Sequence, residues 1–308
     1  MKLKKLIISS IVGFSLILTG CNNSQFPTPT EINSETPSEI SSIDTIEPVK
    51  PTEVLTPTPS LPAVASINGV SILKSDFEDE LKRYLTATSN LGQETNEEQA
   101  KEIVLSSMEE TVILAIGAHD SGYVLDDNTF EEKLTQLIAD SGGEDQFNYW
   151  LSSNFYSQES FQRLYRLELE ATWMRDQIIS QVPTSEEQIR ARQILVSGES
   201  LADDIYSRLQ NGADFDYFAW GYDLLSGGEL GWFPRDYLVL PQIEEAVFAL
   251  QPGEYTSVIE STYGYHIVQV MERELDRPLT QDALIQKQKN ALRFWLDDKL
   301  AESTIVLN

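Results

Sequence analysis

Residues 225–234 read LSGGELGWFP: three glycines, Gly227, Gly228 and Gly231, run into Trp232 and Phe233. Glycines this close together either cradle a phosphate or let the backbone take turns closed to other residues. The neighbours decide against phosphate. No Lys or Thr follows in the P-loop pattern, and the adjacent charges are Asp223 and Glu229. The stretch is therefore a structural turn, and the question becomes what it shapes.

Working outward, the flanks have short, mixed periods. IRARQILV, residues 189–196, alternates as a strand. SLADDIYSRLQNGADF reads as a helix that stops at Asn211-Gly212. Beyond the glycines, LPQIEEAVFAL is a short helix with Pro241 near its start. QPGEY turns, and TSVIE and YGYHIVQVME are strands. In the last of these, His266 alternates onto one face with Gly264, Val268 and Val270.

From Ala63 to about Val182 the pattern is helical. SINGVSIL predicts a hairpin around Asn68-Gly69. Ser75 is expected to cap a helix carrying Phe77, Leu81 and Leu85. Further helices are expected near 97–119, with Ile103 and Val104 among its apolar positions, and near 128–140, 144–152 and 158–181. A last amphipathic helix, 280–303, places Leu284, Leu292, Trp295, Leu296 and Leu300 on one side.

The chain opens with Lys2, Lys4 and Lys5 before an apolar run from Leu6 to Leu18. That run is shorter than the ~20 residues of a membrane span and suits a secretory signal over residues 1–20. Its end, Leu18-Thr19-Gly20-Cys21, is similar to a bacterial lipobox, which makes Cys21 the expected acylated residue. Cys21 is also the only cysteine, so no intramolecular disulfide can form. Residues 21–62 are rich in Pro, Thr and Ser and cannot bury enough apolar surface to fold. They read as a spacer reaching roughly 35 to 120 Å, from coil to polyproline. The net charge of −27 opposes binding to nucleic acid and anionic lipid. With only His119 and His266, a histidine metal cluster has little support.

In order, RARQILV, LQNGADFDYFA, GGELGWFPR and EEAVFALQPGEYTSVIESTYGYHIVQV resemble the signature segments of a parvulin-type peptidyl-prolyl isomerase domain. The flanking helical segments are similar to the chaperone part of PrsA- and SurA-type extracytoplasmic foldases, in which the two flanks fold together. The resemblance implies an α+β chain: a helical SurA-like chaperone domain over 63–185, a parvulin-like domain over 186–273 with a small antiparallel sheet flanked by helices, and a C-terminal helical segment over 274–308 docking on the helical domain. It also implies a lipid-anchored foldase acting on unfolded or newly exported polypeptides, with no cofactor, metal or nucleic acid.

Site residues follow from the same resemblance. The proline cup would be Leu230, Leu238 or Val239, Ile243 and Phe248, the last of which reads first as core packing. His266 matches the family's second active-site histidine, with Ser261 and Tyr263 supplying hydroxyls nearby. Two departures stand out. Gln193 occupies the place of the first histidine; it can donate and accept hydrogen bonds but cannot titrate. The loop before the glycines is short, WGYDLLS, and Asp223 is its candidate for the acidic or thiol residue beside the twisted amide. The expected function is peptidyl-prolyl isomerisation. The competing readings are a holding chaperone on a parvulin scaffold with weak or no turnover, and an assembly lipoprotein docking one fixed partner.

Overall fold

Asn68 and Gly69 both take positive φ, 49° and 88°, as a two-residue type I′ turn requires. They close the hairpin of β1 (Ala63–Ile67) and β2 (Val70–Leu73). The structure, a computed structural model, describes residues 61–308. The expected signal segment, Cys21 and nearly all of the spacer lie outside the described residues. Among those described, no helix is long and apolar enough to cross a membrane.

Five helices follow the hairpin: α1 (Lys74–Asn90), α2 (Glu97–Asp120), α3 (Asp127–Asp140), α4 (Glu144–Ser153) and α5 (Gln158–Ser180). Most starts are capped as their sequences demand. Asn96 accepts from the Glu98 and Gln99 amides, Asp126 from Thr129, and Ser157 forms a capping box with Ser160. Ser75 does not cap α1. Strand β2 turns directly into the helix at Lys74, and Leu73 occupies the cap without a side-chain bond. The first turn is anchored instead by Asp76, a buried carboxylate that Arg163 of α5 grips through Nε and Nη2 at 3.1 and 2.7 Å. Ile103, expected on the apolar face of α2, is exposed, while Val104 beside it is buried.

The second half begins with a long strand. β3 (Ser185–Val196) leads to α6 (Glu199–Gln210), α7 (Phe215–Tyr222), β4 (Glu229–Pro234), α8 (Pro241–Phe248), β5 (Ile259–Ser261) and β6 (Gly264–Pro278). The four strands form an antiparallel sheet in the order β4-β3-β6-β5. Helices α6 and α7 cover one face over Ile194, Val196 and Ile267. The opposite face, with Ile189, Ala191, Val268 and Val270, lies against α8. Both β3 and β6 run past their expected ends because Gln188 and Arg273 tie them together below the sheet. Gln188 Nε2 donates to the Arg277 carbonyl at 2.8 Å, and Arg273 pairs with Glu187 at 2.7 Å.

The chain then returns to its start. α9 (Gln281–Glu302), capped by Thr280, places Leu296 in one core with Ala65 and Ile67 of the hairpin, Ile113 of α2 and Met174 of α5. Trp295 lies so close to α2 that a Cβ at Gly117 would come within 2.5 Å of its ring. A short strand absent from the sequence expectations, β7 (Ile305–Leu307), adds antiparallel to β1 and gives a second sheet of order β2-β1-β7.

Candidate functional site

The register of β3 against β6 places the polar residues of the α8 face. Leu195 lies opposite His266 and Gln193 opposite Val268, so Gln193 and His266 are diagonal neighbours on one face. Their side chains meet, with Gln193 Oε1 and His266 Nδ1 2.8 Å apart. The other ring nitrogen, Nε2, is 2.6 Å from Ser261 Oγ across the β5–β6 turn. Ser261 Oγ also accepts from the Tyr263 amide at 3.0 Å and lies 3.3 Å from the Gly264 carbonyl. With the Gln193 oxygen facing Nδ1, that nitrogen carries the proton and Nε2 accepts from the Ser261 hydroxyl. His266 is 3% exposed, and burial holds its pKa below the ordinary 6.5. Burial thus favours the neutral imidazole, and both its nitrogens are engaged.

The glycine loop packs against the same corner. Gly228 has φ +71°, donates to Asp223 at 3.2 Å and accepts from the Gln193 amide at 2.8 Å. A Cβ at Gly228 would overlap the Gln193 carbonyl oxygen, so only glycine permits this approach. Trp220 fills the space where a Gly227 side chain would go. Beyond them, Ala191 pairs with Gly231 but Arg192 with Glu229, which leaves Leu230 as the extra residue of a bulge. The bulge brings Leu230 to the cluster on the α8 face.

That cluster also holds Leu238, Ile243 and Phe248, so four of the expected cup residues come together on the sheet face that carries His266 and Gln193. Their exposure separates them. Ile243 and Phe248 are buried, and Phe248 stacks edge-on against Phe233 with centroids 6.2 Å apart. Leu230 and Leu238 remain half-open. Of the pair left open by the sequence, Leu238 faces the cup; Val239 is 84% exposed and stands outside it. Tyr263 is exposed on the rim.

Asp223 does not touch His266 or the Gln193 side chain in the hydrogen-bond network. Its carboxylate accepts from the Ser226 hydroxyl and from the amides of Leu225, Ser226 and Gly228. The Ser226 hydroxyl, followed by these amides, pulls its pKa down to about 2. It ties the glycine loop and reaches Gln193 only through Gly228.

Two residues of the site escaped the sequence reading. Leu195, half-exposed opposite His266, was signalled by its alternation with Gln193. Glu244 is a buried carboxylate on α8 that accepts from the amides of Asp236, Tyr237 and Leu238 at 2.6, 3.0 and 3.0 Å. An acid in the apolar helix PQIEEAVF was its only signal. Among the described residues no group of three or more His, Cys, Asp or Glu could hold a metal.

Two outcomes are expected. Gly228→Ala, with a positive φ and a backbone overlap, should cost about 3 kcal/mol or more in urea unfolding. The His266 pKa below 6.5 means the unfolded chain takes the proton more readily. The contribution of His266 to stability is therefore full above that value and lost as pH falls below it. Imidazole ¹⁵N shifts should titrate with a midpoint below 6.5 and show the neutral ring protonated at Nδ1; a midpoint at or above 6.5 would refute the buried assignment.

Comparison with known proteins places these features. Residues 176–274 match the PPIC-type PPIASE domain family. The foldase protein PrsA of Caldanaerobacter subterraneus subsp. tengcongensis is 45% identical over 87 residues, 27% of this chain and 28% of the relative. PrsA of Oceanobacillus iheyensis is 24% identical over 245 residues, 74% of this chain and 80% of the relative. Chaperone SurA of Aromatoleum aromaticum is 34% identical over 134 residues, 39% and 29% of the two chains. The solved structure of the PrsA peptidylprolyl isomerase of Bacillus anthracis aligns over 64% of this chain and 96% of its own, at 24% identity and a TM-score of 0.40. Residues 176–274 are thus a parvulin-type peptidyl-prolyl isomerase domain, carried in a chain that resembles the PrsA and SurA foldases.

Proposed function

We propose that this chain is a membrane-tethered extracytoplasmic foldase that isomerises X–Pro bonds in unfolded, exported polypeptides. The observation that carries the reading is the half-open cup of Leu230 and Leu238 beside the Gln193–His266–Ser261 array. Residues 186–273 would act as the isomerase; 63–185 with 274–308 would hold the client.

The chemistry needs no nucleophile. The barrier is the amide's partial double bond, ~18–20 kcal/mol, and unaided X–Pro exchange takes roughly tens to hundreds of seconds. A planar amide is more polar than a twisted one, because resonance moves charge from nitrogen to oxygen. Apolar walls around the proline ring therefore disfavour the planar ground state relative to the twisted transition state, which is differential binding. Leu230 and Leu238 supply those walls, backed by buried Ile243 and Phe248. Val239 would meet the flanking chain rather than the ring, as would Tyr263. Asp223 would act by fixing the glycine loop beside the amide. Gln193, a neutral side chain, holds His266 in one tautomer, and no step asks either to exchange a proton.

The tether rests on the sequence alone: Cys21 at the end of Leu18-Thr19-Gly20-Cys21, followed by the Pro/Thr/Ser-rich spacer. Two acyl chains on one residue would anchor stably where one would not. Expression in a bacterial host should yield a Cys21 peptide heavier by a diacylglyceryl group, and Cys21→Ser should release the protein from membranes. An unmodified Cys21 would remove the anchor from the proposal.

Isomerase activity is tested by NMR exchange on X–Pro peptides. The whole chain should accelerate exchange, and His266→Ala should lower kcat/KM by about tenfold or more. Gln193→His should retain activity but acquire a pH dependence, since the new imidazole titrates near neutrality. Absence of acceleration, with aggregation of an unfolded client still suppressed, would leave a holding chaperone on an isomerase scaffold.

A further inference from the structure

The cup is held from outside its own domain. Residues 235–240 join β4 to α8 and carry Leu238 to the cup. Asp236 in that loop takes φ +56°, a left-handed conformation unusual for a side-chain-bearing residue. It is fixed from two sides. Its amide donates to the buried Glu244 carboxylate at 2.6 Å, which also takes the Tyr237 and Leu238 amides. Its carbonyl accepts from Asn290 Nδ2 of α9 at 2.9 Å, and Asn290 is itself buried. One turn earlier on the same helix, Lys287 Nζ donates to the Arg235 carbonyl at 3.1 Å and pairs with Glu186 of β3 at 3.0 Å.

Helix α9 does not end its work there. Beyond Asn290 it enters the core shared with α2, α5 and the hairpin, where Leu296 is buried and Trp295 lies against Gly117. At ~3.6 residues per turn, the loop contacts at Asn290 and Lys287 lie roughly one and a half and two turns from the Trp295 contact on one helix. Buried polar groups are costly unless their partners are exact in position. An apolar contact would have sufficed to dock the helix. A buried amide and a mostly covered ammonium aimed at two successive loop carbonyls fix geometry as well.

We propose that Asn290 and Lys287 are positioning residues for the proline cup, so that the helical part sets the shape of the isomerase site through α9. The inference rests on the isomerase reading above, and it deepens it: the cup of the whole chain is tighter than the cup of the parvulin fold alone, and peptide affinity is where the difference shows.

The test uses the whole chain and the variants Asn290→Ala and Lys287→Met, the second keeping the aliphatic stem in case the first fails to fold. Leu209→Ala, buried on the far face of the sheet, controls for general loss of stability. Amide hydrogen exchange at Tyr237 and Leu238 should quicken by about tenfold in the α9 variants and not in the control. KM for an X–Pro tetrapeptide should rise by about fivefold while kcat stays within about twofold. Unchanged exchange at Tyr237 and Leu238 would overturn the proposal, as would quickened exchange with KM and peptide affinity unmoved. If the parent chain does not isomerise at all, the isomerase reading fails on its own. Titration with the same tetrapeptide then decides: weaker binding by the α9 variants upholds the positioning role, and equal binding overturns it.

Discussion

The antiparallel pairing of β3 with β6 is the constraint on which everything else rests. It runs from Ser185 opposite Pro278 to Val196 opposite Tyr265. Side chains alternate across a sheet, so a slip of one residue would send Gln193 and His266 to opposite faces and expose Ile194 and Ile267. The apolar packing on both faces forbids that slip: α6 and α7 bury Ile194, and α8 buries Val268. The same pairing joins the two halves of the chain. Helix α5 ends just before β3 and α9 begins just after β6, so the base of the ribbon delivers both helices to one core.

Around the site, polar groups are neutral or saturated. His266 is buried between a glutamine and a serine, and Asp223 is occupied by its own loop. The neighbouring β3 arginines serve elsewhere: Arg190 bridges Glu229 and Glu272, and Arg192 binds Gln269 and Asp216. A site that moved protons would need a group free to change its charge near neutrality. A site that twists an amide, as proposed here, needs shape, low polarity and a fixed hydrogen-bond frame, and the saturated Gln193–His266–Ser261 array supports that reading.

Much of this was legible in the residues because it is local. Asn68-Gly69 announced a turn that needs two positive φ values, and apolar periodicity placed the helices near 97–119, 128–140 and 158–181. What stayed hidden depends on partners distant in sequence. Ser75 looked like a cap, but the first turn of α1 is held by Arg163, far along the chain. Leu238 and Val239 could not be told apart by type; the loop geometry imposed by Glu244 turns one inward and leaves the other in solvent. The bulge at Leu230 is set by pairing with β3, and β7 forms only because α9 returns the chain to β1. Neither has a signal of its own in the segment where it occurs.

A glutamine that cannot titrate fits the frame around position 193. Two facing imidazoles would have to agree on which shared nitrogen carries the proton, and that agreement would shift with pH. Glutamine offers an oxygen or an amide group as the ring requires and never changes charge. On its other side the ring meets the Ser261 hydroxyl, whose oxygen also accepts from the Tyr263 amide. A hydrogen-bonded chain thus runs from a backbone amide through serine and histidine to glutamine. The Gln193 backbone is pinned in turn by Gly228 and, through it, by Asp223. The glycine at 228 is therefore required by the same constraint that orders the imidazole: the loop must come within hydrogen-bonding distance of β3, and a side chain there would push it off.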